Sequence, residues 1–386
     1  MTNSADLPTP FNQDTHAIRR FTPAVLKWFA KHGRHDLPWQ QLHKTDKDIY
    51  AVWLSEIMLQ QTQVATVLGY FERFMQAFPT VQDLAVADWE AVANLWAGLG
   101  YYARARNLHA GAQQVAQFIR THGKFPQMPD EWQAIKGVGR STAGAIVAMG
   151  VGGRGVICDG NVKRVLTRWA GIDGDITKSA TDKALWQLAD TLTPARQSGE
   201  FAQAMMDLGA TLCTRTRPKC EICPIAADCI AHRQGKQAAY PVKAKKSVKP
   251  THHSQVLLIT HGDLTDNDAK ILWLKRPDDG IWGGLWCPPL LSITRQDTFN
   301  DGVIGEWLSD NLHSDLQRQN PPLAAIKHTL THFHWQLSAR HIALSADKFT
   351  QLKTLLADIH AEHHWQPLVN TLAKPAAMDK LLNAIA

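Results

Sequence analysis

The sequence has no hydrophobic run long enough to cross a bilayer, because charged and polar residues interrupt every apolar stretch. Residues 1–13 carry no basic stretch followed by an apolar one, so we expect no secretory signal. Cysteine is scarce, with 6 in 386 residues, which argues against a disulfide-stabilised secreted fold. We therefore expect a cytoplasmic protein with no membrane partner.

Sustained strand alternation is also missing before residue 250, so the first part of the chain is expected to be all-helical. Helical spacing predicts helices over residues 21–30, 49–75, 82–97 and 103–120. The pattern then changes, with predicted strands at 256–260 and 271–274 and a helix at 303–312. A chain of 386 residues is long for one domain. We predict an all-α domain at 20–235, a linker at 236–250 and an α+β domain at 251–386.

The charge balance is mildly basic, with a formal net charge of +6. That balance permits a nucleic-acid partner without requiring one. The predicted linker is rich in lysine and contains two prolines, so we expect it to be extended and exposed. Its lysines are Lys243, Lys245, Lys246 and Lys249.

Glu56 stands in the middle of an apolar helical run that includes Trp53 and Ile57. Burial raises the pKa of a carboxyl group, which would let Glu56 carry a proton near neutral pH. Gln60 is expected one turn further on the same helix face, and Gln61 follows it. An acid beside amides suggests chemistry on a bound group, although a narrow polar edge would give the same pattern.

Two glycines, Gly137 and Gly139, separate a predicted helix end from a small-residue helix that starts near Ser141. Glycines allow close approach of the backbone to a ligand, and amides at a helix N-terminus bind anions. With Arg140 next in the chain, the segment resembles a helix-hairpin-helix, which grips a DNA backbone. Lys136 replaces the usual proline before the first glycine. A plain helical turn is the alternative.

Asp159 and Asn161 flank a glycine at the start of another predicted helix. Both residue types are favoured N-caps, so capping alone would explain them. The same helix carries Lys163, Arg164 and Arg168, which form either a binding face or a solvated one.

Four of the cysteines lie close together, with six, two and five residues between them. This set suits an iron–sulfur cluster or tetrahedral zinc. Zinc ribbons usually use two Cys-x-x-Cys pairs, and the segment has one. The set is Cys213, Cys220, Cys223 and Cys229.

Taken in order, the Glu56 helix, the Asp159–Arg164 element and the cysteine spacing resemble the MutY-type adenine DNA glycosylases of the helix-hairpin-helix superfamily. The resemblance implies a helical glycosylase domain with a 4Fe–4S cluster and a Nudix-like second domain. It implies a monomeric, nucleoid-associated enzyme of base excision repair. Its partner would be double-stranded DNA in which adenine is mispaired with 8-oxoguanine or guanine.

The resemblance also implies roles for particular residues. Glu56 would protonate the flipped adenine, Asp159 would stabilise the sugar cation, and Asn161 would orient Asp159 or the water. Ser141 stands where lyases of the superfamily have their catalytic lysine, which implies a monofunctional enzyme. The remaining DNA and adenine contacts would come from Arg34, Trp39, Gln60, Gln61, Tyr101, Gly137, Gly139, Gln203, Thr331 and His332.

The second domain departs from two family patterns. No acid-rich run follows Trp282–Leu285, so metal-dependent pyrophosphate hydrolysis is not expected. The family's Phe-Ser-His loop is represented by Leu330-Thr331-His332, which keeps a hydroxyl and the histidine.

Two other functions fit part of the sequence. An endonuclease III-type glycosylase and lyase shares the hairpin, the aspartate and the cluster, but its Schiff-base chemistry needs a lysine where Ser141 stands. A non-enzymatic iron–sulfur DNA-binding regulator would leave Glu56 without a role.

Overall fold

The computed structural model describes residues 15–40, 46–243, 248–261, 264, 269–277, 280–292, 303–318 and 321–385. Most of the expected polar tail lies outside these residues, as do Lys245 and Lys246 of the predicted linker. The chain divides into two compact units. The helical unit comprises Met1–Ala87 and Arg106–Lys246, and the sheet unit comprises Asp88–Ala105 and Ser247–Ala386.

Among the described residues up to 243, every regular element is a helix, which confirms the all-α expectation. Its helices are α1 (Thr15–His32), α2 (Asp46–Leu59), α3 (Val64–Ala77), α4 (Val81–Val86), α5 (Trp89–Trp96), α6 (Tyr102–His122), α7 (Pro129–Gln133), α8 (Arg140–Ala145), α9 (Gly160–Ala170), α10 (Ser179–Leu192), α11 (Ser198–Asp207) and α12 (Ile230–Arg233). Helices α8 and α11 continue into wider π-helical turns at Ile146–Val151 and Leu208–Leu212. Residues 88–105, which hold α5 and the first turn of α6, belong to the sheet unit.

The prediction of one unbroken helix over 49–75 is wrong. Helix α2 ends at Leu59 and α3 begins at Val64. Gln61 has φ of +59°, a left-handed conformation that cannot continue a right-handed helix. Gln60 therefore stands in the turn after α2 and not on its Glu56 face. The apolar spacing carries no signal for this break, because the residues on both sides keep helical periodicity.

The core of the helical unit is built around aromatic side chains from helices distant in sequence. Helix α1 buries Ala17, Phe21, Val25 and Phe29, which recur every four residues and form one face. The Phe21 ring packs edge-on against Trp169 of α9, with 4.6 Å between ring centroids. This packing fixes α9, and with it the residues at its N-terminus.

A close backbone contact positions the segment that leads to α9. A Cβ atom on Gly144 of α8 would lie 1.9 Å from the carbonyl oxygen of Val156. A Cβ atom on Gly155 would lie equally close, at 1.9 Å, to the carbonyl oxygen of Gly144. Neither position can accept a side chain without a shift of backbone. Glycine at both therefore brings α8 directly against the chain three residues before Asp159.

The sheet unit contains one mixed sheet. Its strands are β1 (Thr251–Thr260), β2 (Ile271–Lys275), β3 (Trp286–Cys287), β4 (Leu290–Ser292), β5 (Ala324–Thr329), β6 (His334–Ala343) and β7 (His363–Gln366). The main path of neighbours is β3-β2-β1-β6-β5, with β4 pairing β1 and β7 pairing β2. Strands β1 and β6 run parallel, and the other described pairs are antiparallel.

Both faces of this sheet are covered, because alternate residues of β1 point to opposite sides. Val256 and Leu258 pack on the face covered by α15 (Ala376–Leu382). Leu257 and Ile259 pack on the face covered by α13 (Val303–Arg318) and α14 (Ala346–Asp358). The predicted α+β class is confirmed. Within the described residues, no helix is both long and apolar enough to span a bilayer.

Candidate active site

Glu56 lies in α2 among buried neighbours that include Trp53 and Ile57, and its own side chain keeps partial exposure. Burial, together with the negative charge of nearby Asp159, raises the pKa of its carboxyl group to about 8. Glu56 is therefore protonated at neutral pH. The electrostatic coupling also establishes that the fold brings these two residues together, although 103 positions separate them in the sequence.

Asp159 is the N-cap of α9. Its Oδ1 accepts hydrogen bonds from the backbone amides of Asn161, at 3.0 Å, and Val162, at 2.8 Å. Desolvation raises the pKa of this carboxyl group, whereas the two amides and the cations Arg164 and Lys163 act to lower it. The capping interpretation of Asp159 is thus confirmed, and capping leaves a second carboxylate oxygen available.

The two carboxylates stand in different environments, and this decides which of them holds a proton. Desolvation raises the pKa of Asp159 as well, but two backbone amides and nearby cations counter part of that rise and favour its charged form. Desolvation and the charge of Asp159 favour the neutral form of Glu56. Two titratable groups whose surroundings separate their pKa values form an acid and an anion at the same pH. The site therefore offers one proton donor and one negative charge.

Ser141 and Asn161 support this arrangement from either side of Asp159. The Ser141 Oγ accepts a hydrogen bond from the backbone amide of Cys158 at 3.0 Å, which anchors the residue before Asp159 to α8. The Asn161 Oδ1 accepts from Arg164 Nη2 at 2.9 Å. Both predicted residues thus reach the neighbourhood of Asp159 through hydrogen bonds.

Arg34 and Gln203 are joined by a residue that sequence reasoning missed. The carboxylate of Asp207, 1% exposed, accepts from Arg34 Nη2 at 2.6 Å and from Gln203 Nε2 at 2.8 Å. The backbone amide of Arg34 also donates to it, at 2.7 Å. Gln203 and Asp207 are four residues apart on α11, and that spacing was the available signal. Trp39 is buried, with its ring edge-on to Phe71 at 5.2 Å.

The remaining predicted contacts of the helical unit lie on exposed turns. Gln61 is exposed in the turn between α2 and α3, whereas Gln60 is half-buried. Gly137 has φ of +82°, and a Cβ atom there would lie 2.6 Å from Cβ of Asn107, so this position requires glycine. Gly139 is the exposed N-cap of α8 and has open space around it.

The four clustered cysteines line a single cavity. Cys229 is buried, and Cys213, Cys220 and Cys223 are half-buried. Among the described residues, no three or more His, Cys, Asp or Glu side chains are arranged to hold a single metal ion. The cavity thus has four thiol groups on its wall.

The predicted basic face of α9 is wrong for Arg164 and Arg168, because both side chains point into the protein. Arg168 is 2% exposed and donates to Thr214 O at 2.7 Å and to Cys213 Sγ at 3.4 Å. Arg164 donates to Cys213 O at 2.8 Å. These arginines fasten the cysteine loop to α9. Sequence patterning did not separate them from solvated cations, because the carbonyl partners come from residues 46 and 49 positions later.

Three predicted contacts belong to the sheet unit and not to the helical one. Tyr101 is 49% exposed in the loop between α5 and α6. Thr331 and His332 are exposed at the tip of the β5–β6 hairpin, which is closed by a hydrogen bond from the Leu330 amide to Phe333 O at 2.9 Å. Each stands where a partner molecule has access to it.

Two family models match the chain. Residues 54–191 match the HhH-GPD superfamily of base excision DNA repair proteins. Residues 262–384 match the NUDIX domain. The first range includes Glu56 and Asp159, and the second includes Thr331 and His332.

Curated relatives extend over most of the chain. An adenine DNA glycosylase of Buchnera aphidicola subsp. Acyrthosiphon pisum is 40% identical over 70% of this chain and 73% of the relative's length. That of the subspecies Schizaphis graminum is 35% identical over 81% of this chain and 84% of the relative. The adenine DNA glycosylase of Homo sapiens is 43% identical over 86% of this chain and 68% of the relative. With the carboxylate pair in place, the chain belongs to the adenine DNA glycosylase family.

Proposed function

We propose that this protein is a monofunctional adenine DNA glycosylase of base excision repair that hydrolyses the bond between a flipped adenine and its deoxyribose. The observation that carries the proposal is the pairing of a protonated Glu56 with an anionic Asp159. The family relationship supports the same reaction class. Action on chromosomal DNA would place the protein at the nucleoid.

Each carboxylate supplies what one end of the breaking bond requires. Adenine departs poorly as an anion, so protonation of a ring nitrogen by Glu56 turns it into a neutral leaving group. Positive charge then develops at C1′, and the free oxygen of Asp159 stabilises it. The same division between an acid and an anion operates in glycoside hydrolases. Ser141 holds the segment through the Cys158 amide, and the Asn161 backbone amide holds the Asp159 carboxylate itself for this step.

The adenine must leave the duplex before this chemistry, at an unstacking cost of a few kcal/mol. Gln61 and Tyr101 are exposed on turns and are suited to enter the vacated stack. Arg34 and Gln203, held by Asp207, and Trp39 would line the pocket for the base. The amides around Gly137 and Gly139 would contact the phosphate backbone. A lysine nucleophile for lyase chemistry is not at position 141, and the Ser141 hydroxyl is already hydrogen-bonded.

The four-cysteine cavity fits a 4Fe–4S cluster better than zinc. A zinc ion needs every sulfur at about 2.3 Å from one point, whereas a cluster places irons and sulfides between the thiolates. All four thiols line one cavity, and the segment holds one Cys-x-x-Cys pair, whereas a zinc ribbon usually uses two. Cys213, Cys220, Cys223 and Cys229 would hold the cluster, which supplies a rigid cross-link for the loop that carries Arg215 and Arg217.

The sheet unit would supply discrimination for 8-oxoguanine opposite the adenine. Thr331 and His332 offer a hydroxyl and an imidazole at an exposed hairpin tip. The tip is anchored because Lys249 Nζ donates to Leu330 O at 2.6 Å. A fixed tip with two hydrogen-bonding groups can read a single altered base edge.

The pH dependence of adenine release tests the role of Glu56. Glu56 must be protonated to act, and its pKa is raised to about 8, so the single-turnover rate should fall as the pH rises above 8. The rate should also fall at acid pH, where Asp159 takes up a proton and loses the charge that stabilises C1′. Glu56→Gln keeps the shape without the proton and should lower the rate by roughly 10²- to 10⁴-fold while still binding substrate duplex. Near-normal release by this variant would exclude Glu56 as the acid.

Asp159→Asn separates the charge of Asp159 from its capping role. Asparagine is as good an N-cap as aspartate, so the melting temperature should change little. The C1′ cation would lose its counter-charge, and we expect the rate of adenine release to fall by roughly 10²- to 10³-fold. If Asp159→Asn instead lowers the melting temperature but keeps the parent rate per folded molecule, then Asp159 has only a structural capping role.

Metal analysis decides between cluster and zinc. Anaerobically purified protein should contain about four irons per chain. Cys220→Ser should lose iron and duplex affinity together, whereas Cys158→Ser, at a buried position outside the cavity lining, should retain the iron. One zinc and no iron would overturn the cluster assignment.

Substitutions at the hairpin tip test the discrimination role. Thr331→Ala combined with His332→Ala should lower the preference for A:8-oxoguanine over A:G by roughly tenfold to a hundredfold, the value of one or two polar base contacts. The rate on A:G should stay close to that of the parent, because Glu56 and Asp159 are untouched. Unchanged preference between the two mispairs would place the readout elsewhere.

A further inference from the structure

The loop that carries Tyr101 is supported by the sheet unit, although its neighbours in sequence are helical. Residues 88–105 group with residues 247–386, and this segment holds α5, the loop and the first turn of α6. Tyr101 itself has φ of +52°, between Gly98 and Gly100 on one side and α6 on the other. Whatever fixes α5 and the start of α6 therefore fixes the place of the Tyr101 ring.

Helix α5 is fastened to the sheet unit by two indole groups. The Nε1 of Trp286 donates to Glu90 Oε1 at 2.8 Å, and Trp286 is 4% exposed. The Nε1 of Trp89 donates to Gly284 O at 3.3 Å. The backbone amide of Trp286 donates to Ala373 O at 2.8 Å, so the residue that holds α5 is itself held on two sides.

The start of α6 is fastened at a neighbouring point. The buried Tyr102 hydroxyl donates to Lys374 O at 3.0 Å. Lys374 is held in turn, because its Nζ donates to Asn370 O at 2.8 Å. Ala373 accepts a hydrogen bond from Trp286, which binds α5, and Lys374 accepts one from Tyr102 at the start of α6. Two adjacent residues of the sheet unit therefore support the helices on both sides of the Tyr101 loop.

The loop between these two supports is internally fixed. Arg104, 8% exposed, donates to Leu99 O at 3.3 Å and to Gly100 O at 3.1 Å. The Trp96 Nε1 donates to Gly100 O at 3.0 Å. The guanidinium of Arg104 also lies over the Tyr101 ring, 5.4 Å from its centroid. The loop therefore follows α5 and α6 as one body, and a displacement of either helix displaces the ring.

We propose that Glu90, Tyr102 and Trp286 are positioning residues for Tyr101, through which the sheet unit fixes the aromatic ring that enters the DNA stack. This inference rests on the proposed function, in which Tyr101 fills the space left by the flipped base. A ring held in place before binding loses less conformational entropy when it enters the duplex. The sheet unit thereby contributes to the handling of the duplex as well as to the reading of the opposite base.

A double-mutant cycle tests this proposal on the full chain. Affinity for duplex containing A:8-oxoguanine would be measured for Glu90→Ala, Tyr101→Ala and the two combined. We expect Glu90→Ala to weaken binding by about 3- to 10-fold, the range for the loss of one ordinary hydrogen bond. In the Tyr101→Ala background the same substitution should cause no further loss, because both act through one ring.

Matched variants exclude a general loss of structure. Glu90→Gln keeps an oxygen that accepts from Trp286 and should bind like the parent. Glu72→Ala removes an exposed glutamate from α3 and should also bind like the parent. Trp286→Phe keeps a ring but removes the donor, and it should reproduce the effect of Glu90→Ala. Melting temperatures of all variants establish that each is folded.

The possible outcomes distinguish the role of Tyr101 in the DNA stack from the positioning role of Glu90. If Tyr101→Ala binds like the parent, then the wedge assignment in the proposed function fails, and the positioning role fails with it. If Tyr101→Ala weakens binding but Glu90→Ala has no effect, or an independent additive effect, then only the positioning role is overturned. The positioning role is supported if the effects of Glu90→Ala and Tyr101→Ala on affinity are not additive and Glu90→Gln binds like the parent.

Discussion

The desolvation of two neighbouring carboxylates, Glu56 and Asp159, is the constraint on which the proposed active site depends. Glu56 and Asp159 cannot both be charged there without a large cost, so one must hold a proton. The fold determines which carboxylate holds the proton. Backbone amides at the start of α9 donate hydrogen bonds to Asp159, whereas Glu56 lies on an apolar helix. The glycine contact between α8 and the chain before Asp159 brings the amides to their place. The reaction proposed for this site needs one protonated and one charged carboxylate, and this difference between Glu56 and Asp159 provides both.

Several arginines of the helical unit bind groups within the protein, and these hydrogen bonds make them less available for contact with DNA. Arg168 and Arg164 donate to backbone carbonyls of the cysteine loop, and Arg34 is bound to the buried carboxylate of Asp207. A buried guanidinium is tolerated because its donors meet several acceptors at once. The net charge of the chain thus overstates the positive surface available to a nucleic acid. Turns carry the exposed residues proposed for DNA instead, and Gln61 and Tyr101 both adopt left-handed backbone conformations there.

The compact units do not follow the order of the chain. Residues 88–105 lie within the range matched by the helical repair family, yet they group with the sheet unit. The hydrogen bonds from Trp286 to Glu90 and from Tyr102 to Lys374 are the physical basis of this grouping. The sheet unit consequently holds two exposed elements of the proposed DNA-binding machinery, the Tyr101 loop and the Thr331–His332 tip.

The sequence alone determined the helical class of the first part, the α+β class of the second and the identity of the principal candidate residues. Those features are local: periodicity sets helices and strands, and Glu56, Asp159 and the cysteines stand in recognisable short patterns. Tertiary structure alone decided that α2 ends before Gln61, that Asp207 joins Arg34 to Gln203, and that Arg168 faces inward. It also decided that Glu56 keeps the proton, because a pKa depends on desolvation and on charges brought close from distant positions. Arg34 and Asp207 are 173 residues apart, and no local pattern records such a contact.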